Sequence, residues 1–218
     1  NGNNVWSTLL HIQWSKELER AGVHVAYGLV GLKTHAKMCL IVRREDQRLA
    51  RYVHLGTGNY NPATARVYTD LALLTSNPAI ASDVAMLFNA LTGYAGEHPY
   101  RCLMVAPSGV RSGMLDRIER VTAQHQQTGQ GYIALKLNAL TDPACIQALY
   151  RASQAGVPVD LQIRGVCGLR PGVPGVSDRI TVTSLVGRFL EHSRIFYFRF
   201  EQGEEELWMG SADLMPRN

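Results

Sequence analysis

Two short words in the sequence set an imidazole two residues before a cation: His35-Ala36-Lys37 and His192-Ser193-Arg194. On a strand, alternate side chains point the same way, so each histidine shares a face with its cation. Imidazole can attack phosphorus, and a cation beside it can neutralise phosphate oxygens while charge spreads in the transition state. Each word is followed 18 to 21 residues later by a small-residue stretch, Gly56-Thr57-Gly58-Asn59 and Gly210-Ser211-Ala212-Asp213. Main-chain N–H groups of such loops can cradle an anion. One His-x-Lys is a weak signal; two copies facing each other across a pseudo-twofold would build one anion-binding site.

The elements around these words repeat as well. Leu18-Glu19-Arg20-Ala21-Gly22-Val23-His24-Val25 and Ala152-Ser153-Gln154-Ala155-Gly156-Val157-Pro158-Val159 both read as a helix end, Ala-Gly, then a strand. The three matched features are offset by 134, 157 and 154 residues, so the second copy carries an insertion of about 20 residues. The Gly/Pro-rich stretch Gly165–Ser177 is that insertion, a long ordered loop or a lid. Two similar α/β halves follow, 1–100 and 101–218.

Within the first half, helix is expected over Leu9–Ala21 with Gly22 as its stop. Strands are expected at Val23–Gly28, Met38–Arg43, Leu49–Leu55 and Tyr68–Leu74, with Gly56–Pro62 a loop. A helix follows at Ile80–Leu91. In the second half, strands are expected at Arg101–Ala106, Tyr132–Leu137, Val157–Arg164, Ile180–Leu185, Ser193–Phe200 and Glu206–Met209. Helices are expected at Val110–Gln127 and from Thr141-Asp142-Pro143 to about Ala155, proline being tolerated in a first turn. The alternation of helices and strands argues for an α/β fold with mixed sheets flanked by helices.

Composition bounds the reading. The 218 residues carry 22 Lys+Arg against 18 Asp+Glu, a net charge of +4, and 46% hydrophobic residues. That is a globular balance, compatible with anionic partners but weak as a sign of them. No apolar run approaches the roughly 20 residues of a spanning helix, and no secretory leader opens the chain. Cys39, Cys102, Cys145 and Cys167 contain no C-x-x-C pair, which leaves zinc sites and disulfide frameworks without support. They are expected as buried reduced thiols in a cytoplasmic protein.

Longer words carry a resemblance. Gly31-Leu32-Lys33-Thr34-His35-Ala36-Lys37, Tyr52-Val53-His54-Leu55-Gly56-Thr57-Gly58-Asn59-Tyr60-Asn61 and Thr64-Ala65-Arg66-Val67-Tyr68-Thr69-Asp70 form one block. Asn138-Ala139-Leu140-Thr141-Asp142-Pro143 and Gly187-Arg188-Phe189-Leu190-Glu191-His192-Ser193-Arg194 form a second. The constellation resembles the phospholipase D-like superfamily, and its wording resembles the bacterial polyphosphate kinase (type 1) branch, from about His11 to Asn218. The resemblance implies two phospholipase D-like halves and reversible transfer of the ATP γ-phosphate, through a phosphohistidine, to inorganic polyphosphate. It implies ATP/ADP and polyphosphate as partners, no nucleic acid, a homo-oligomer, and peripheral membrane association of the full enzyme. His35 would be the nucleophile, Asp70 would hold its other ring nitrogen, and His192 would assist from the opposite half. Tyr68, Arg164 and His192 would contact nucleotide phosphates, with Lys37, Arg194 and Arg66 as further phosphate ligands.

Other residues read more plainly. His54 and His24 read as structural, and His11, His98 and His125 as surface groups. Phe196-Tyr197-Phe198 reads as core. The chain also departs from the family pattern. It is far shorter, and both halves read as truncated. Val5-Trp6-Ser7-Thr8 stands where the family has Arg and Phe-Asp-Glu at a helix entrance, so Mg²⁺ is implied without metal ligands in this chain. A phospholipase D-like phosphodiesterase is one alternative, but that signature asks for Asp where Val42 and Arg199 stand. A non-catalytic polyanion-binding chain is the other.

Overall fold

The computed structural model describes residues 13–26, 28, 31–32, 34–93 and 99–216. They fall into two compact units, one drawn from Asn1–Thr34 and Met86–His98, the other from His35–Ala85 and Pro99–Asn218.

In the first unit residues 13–20 are helical (α1). The helix stops as expected at Gly22, which takes φ +84°. Gly22 N–H donates to Glu19 O at 2.9 Å and Val23 N–H to Leu18 O at 3.0 Å, the paired bonds of a Schellman stop. Residues 23–26 form no strand, contrary to the sequence expectation; Tyr27 and residues 9–12 lie outside the described residues.

The second unit contains both histidine words. Strands β1 (Met38–Glu45) and β2 (Arg48–Gly56) form an antiparallel hairpin. Its two-residue turn, Asp46-Gln47, has both φ angles positive, as the twist of a tight hairpin demands. A short helix α2 (Pro62–Ala65) follows, capped by Asn61 Oδ1, which accepts from the amides of Ala63 and Thr64. The expected single strand Tyr68–Leu74 is two: β3 (Tyr68–Thr69) and β4 (Ala72–Thr75). Only β4 joins the hairpin, giving the antiparallel order β1-β2-β4.

Helix α3 (Pro78–Leu91) starts at Asn77, whose Oδ1 accepts from Ala79 and Ile80 amides. Its fully buried Asp83 accepts with Oδ2 from the amides of Arg101, Cys102 and Leu103, at 2.8, 2.6 and 3.2 Å. Those three donors are therefore unavailable to a ladder, and the strand expected at Arg101–Ala106 does not form.

Helices α4 (Gly109–Thr128) and α5 (Pro143–Gln154) then cover a five-stranded mixed sheet. α4 buries Val110, Met114, Ile118 and Val121, one stripe at helical spacing. α5 has Pro143 in its first turn and Asp142 as its cap, Oδ1 accepting from Cys145 N at 3.0 Å. The strands are β5 (Tyr132–Leu137), β6 (Val159–Ile163), β7 (Ile180–Thr183), β9 (Arg194–Glu201) and β10 (Glu204–Gly210), with β8 (Leu190–Glu191) lying outside this sheet. Their order is β10-β9-β5-β6-β7, parallel across β5-β6-β7 and antiparallel at β9 and β10. Strict alternation sends Ile133, Leu135, Leu137, Phe196, Phe198, Val159 and Leu161 to the covered face. Each such side chain contributes roughly 1.5–3 kcal/mol by leaving water. The two phenylalanines of the aromatic run are thus core, as expected.

Residues 164–179 form a loop held by its own side-chain and main-chain bonds. Buried Ser177 donates to Arg170 O and accepts from Val173 N, and Tyr150 Oη accepts from Arg170 N. Of the thiols, only Cys145 is buried; Cys39 is exposed, at a position of β1 whose face is open. Among the described residues no helix is long and apolar enough to cross a membrane.

Candidate active site

The two halves meet through a ribbon of one strand from each. β3 pairs in parallel with β8, Tyr68 opposite Leu190 and Thr69 opposite Glu191. Thr69 O accepts from the amides of His192 and Ser193 at 3.3 and 3.0 Å. The residue after each strand is then Asp70 on one side and His192 on the other. His192 Nδ1 stands 2.7 Å from Asp70 Oδ1, with their side chains 10% and 23% exposed. An ionised carboxylate only accepts, so Nδ1 carries the proton and Nε2 is left for other chemistry. The sequence reading expected Asp70 on the ring of His35. The ribbon register brings Asp70 Oδ1 to His192. The Tyr68 ring packs against His192 at 4.8 Å between centroids.

Glu191 fastens the ribbon to the central strand. Its Oε2 accepts from Lys136 Nζ at 2.5 Å and from Thr69 Oγ1 at 3.0 Å, and Lys136 also donates to Ser193 Oγ at 2.7 Å. The hydrogen bond from Lys136 holds the Glu191 carboxyl below its ordinary value.

The two histidine words are built alike. Lys37 Nζ turns back to donate to His35 O at 2.6 Å, and Arg194 NH1 donates to His192 O at 2.5 Å. Both cations are buried, at 8% and 5% exposure, whereas His35 is exposed. Arg194 also makes a two-bond pair with Asp213, Nε to Oδ1 at 3.2 Å and NH2 to Oδ2 at 3.0 Å. Asp213 Oδ1 accepts from the amides of Asn138 and Ala139 as well. Burial pushes the Asp213 carboxyl up, yet the bonds and charge of Arg194 and the two amides hold it below its ordinary value. These cations thus shape the main chain of their own histidines. The guanidinium that the sequence reading offered to phosphate is engaged with Asp213. The small-residue stretches also differ from the expected cradles: Gly56 N–H donates to Lys37 O and Thr57 N–H to Leu71 O. Ser211 Oγ donates to His35 O at 3.1 Å, so the second half touches the first histidine too.

β9 runs antiparallel to β5, so His192 and Ser193 lie beside the carboxyl ends of the parallel strands, where open α/β sheets bind ligands. Arg164, just past β6, shares that edge. Its Nε donates to Asn138 Oδ1 at 2.9 Å, and NH2 bonds the same oxygen. Arg66, exposed at the end of α2, stands two residues before β3 and makes no ion pair among the described residues. Arg188 stands likewise two residues before β8, over the Phe189 ring. His54 Nδ1 is 2.6 Å from Tyr60 Oη, a pairing apart from the ribbon. His24 is exposed, and half-buried His125 lies 3.2 Å from Gly131 O rather than free at the surface. His11 and His98 lie outside the described residues. Sequence reasoning missed Lys136, Glu191 and the Thr57 side chain. The only signal for Glu191 and Thr57 was their place inside the matched blocks; Lys136 stands two residues before one of them.

No group of three or more His, Cys, Asp or Glu able to hold a metal ion occurs among the described residues. The Mg²⁺ implied by the resemblance is given no ligands here, and no step below is routed through it.

Comparison with known proteins places these features. Residues 9–97 match the sequence model for polyphosphate kinase C-terminal domain 1, and residues 103–218 that for C-terminal domain 2. The chain is 58% identical over 208 residues to the polyphosphate kinase of Mycolicibacterium gilvum, and 57% identical over 212 residues to that of Mycobacterium leprae. Each alignment covers 95% of this chain and 28% of the relative. The crystal structure of polyphosphate kinase from Porphyromonas gingivalis matches with a TM-score of 0.85 and 39% identity, over 94% of this chain and 34% of that one. The chain thus spans about a third or less of the proteins it matches.

Proposed function

The chain belongs to the polyphosphate kinase family, in its two C-terminal domains, and from that premise we propose that it carries the phosphoryl-transfer site of an ATP:polyphosphate phosphotransferase. A ring nitrogen of His35 attacks the γ-phosphorus of ATP. The N–P bond forms as the bond to the β–γ bridging oxygen breaks, and ADP leaves with that electron pair. A terminal oxygen of polyphosphate then attacks the same phosphorus, the N–P bond breaks, and the ring nitrogen recovers its lone pair. Each step is reversible.

His192 assists from the opposite half. With Nδ1 on Asp70, its Nε2 in protonated form faces the reacting phosphates as a proton donor and counter-charge, a role worth roughly 10²–10⁴ in rate. Tyr68, Arg164 and Arg66 are the phosphate contacts of this reading. Lys37 adds fixed positive charge beside His35. The observation that supports it most is the Asp70–His192 bond across the ribbon, which orients a histidine of one half with a carboxylate of the other. The phosphodiesterase alternative has no carboxylate at either required position: Val42 is half-exposed in β1, and Arg199 donates to Gln130 O. ATP as donor is consistent with the cytoplasm. Homo-oligomerisation, membrane association and a requirement for Mg²⁺ come into this proposal from the family resemblance alone.

The test is incubation with γ-labelled ATP and Mg²⁺. The expected product is acid-labile, alkali-stable label on the protein that vanishes in His35→Ala. A folded chain that takes no label would overturn the reading for this chain. If it still bound polyphosphate with steep salt dependence, the non-catalytic alternative would stand instead.

A further inference from the structure

The carboxylate that orients His192 is itself oriented, and the group that does so is Thr57. This side chain is fully buried. Its Oγ1 stands 2.6 Å from Asp70 Oδ1, the same oxygen that receives His192 Nδ1. Leu71 N–H donates to Oγ1 at 3.0 Å, and Leu71 O is 3.4 Å away. A hydroxyl has one proton to give. With an amide on one lone pair and the carbonyl at the limit of contact, that proton goes to Asp70.

The terminal torsion of an aspartate is broad and two-fold, so rotamer preference alone does not fix which oxygen faces a partner. On its other side the carboxylate meets Gly58, which has no side chain to hold it. Threonine is stiff at its first torsion, which suits it to holding a neighbour in place. Its position also has a topological reason. Thr57 N–H donates to Leu71 O while Leu71 N–H donates to Thr57 Oγ1, so the side chain closes the β2–β4 ladder one pair past Gly56 and Ala72. At that point the chain leaves one sheet for the ribbon, and Asp70 sits at the crossing.

We propose that Thr57 is a positioning residue that acts through Asp70 on His192, locking the carboxylate so that His192 Nδ1 is held and Nε2 is aimed. The catalytic consequence rests on the phosphoryl-transfer reading above; the positioning itself does not. Other charged groups around His192 are Glu191 and Lys136 in the ribbon network and Arg194 on its carbonyl. None of these touches Thr57.

Two substitutions separate the hydroxyl from the shape. Thr57→Val keeps the branched form and removes the donor; Thr57→Ser keeps the donor. The first readout is the proton resonance of His192 Nδ1–H, assigned by its loss in His192→Gln. The second is label transfer from ATP, split into kcat and KM. Thr57→Val should lose the protected resonance to solvent exchange and lower kcat about tenfold, the worth of one hydrogen bond to a charged group, with KM for ATP changed less than twofold. Thr57→Ser should hold both within about twofold. Should Thr57→Val fail to fold, Thr57→Ala removes the same donor while leaving the ladder room to relax. A retained resonance in Thr57→Val, or equal damage in Thr57→Ser, would overturn the proposal. If no variant and no parent takes label, the phosphoryl-transfer reading falls, and the resonance alone decides the role of Thr57.

Discussion

Replacing Gly58 with alanine tests the site's construction at a single atom. A methyl there would stand 2.5 Å from Asp70 Cγ and 2.9 Å from Asp70 Cβ, where ordinary carbon contacts are about 3.5–4.0 Å. The near atoms include the root of a short side chain, so Asp70 has to swing away or carry its backbone with it. Either movement breaks its bonds to His192 and Thr57. Overpacking of this kind costs about 1–3 kcal/mol. For a chain of this size that is a fall in Tm of about 2–12 °C. The released ring loses part of what a positioned acid–base group supplies, so labelling of His35 should slow about 10- to 100-fold. A double-mutant cycle isolates the cause. In an Asp70→Gly background, which removes Cβ as well as the carboxylate, the methyl gains space, and Gly58→Ala should cost almost nothing in Tm or rate. Equal losses in both backgrounds would refute the reasoning, as would a Gly58→Ala chain with parental Tm and labelling.

Two further outcomes follow from ionisable groups. The Asp213 carboxyl is held below its ordinary value in the folded chain, so its contribution is present above about pH 4, the unfolded range, and is lost as pH falls through the folded value. Asp213→Asn leaves Arg194 buried without its charge partner and should lower stability at pH 7 by about 3–5 kcal/mol. In urea unfolding that deficit should shrink below about pH 4; a deficit independent of pH would contradict the assignment. Burial pushes the Cys145 thiol up to about 12, with Asp142 adding to the effect, so at pH 8 it stays a thiol and inert. Exposed Cys39 should give the fast phase with a disulfide reagent, and Cys39→Ser should abolish it, while Cys145→Ser leaves it unchanged.

Where local pattern carries the signal, the sequence and the structure agree closely. Tyr132–Leu137 alternates cleanly and is a strand at those bounds, and Asp142-Pro143 opens a helix as their chemistry requires. Two of the failures share a cause, a partner distant in the chain. Tyr68–Leu74 reads as one strand, but Tyr68–Thr69 pairs with residues of the other half and Ala72–Thr75 with β2. Arg101–Ala106 has strand composition, but Asp83 takes its amides. The same holds in the site. The His-x-cation spacing announces both histidines and their cations. It cannot reveal that the cations turn back on their own main chain, or that Asp70 meets the histidine 122 residues away.

The ribbon that joins β3 to β8 is two residue pairs long and spans 122 positions of sequence. Its formation is an assembly event distinct from the folding of either sheet. The hairpin of the first half and the β5–α5–β6 unit of the second close on near neighbours in sequence. The ribbon closes a long loop for few contacts, so on refolding it forms after the elements it links. Contacts of that kind sit at the low end of a protein's opening free energies. The oriented His192 is therefore the last feature gained and the first lost, and the two sheets stay intact when it goes. Heat, denaturant or a cut in the intervening chain would silence the site well before the fold dissolves. Far-ultraviolet dichroism and activity should then report two different transitions.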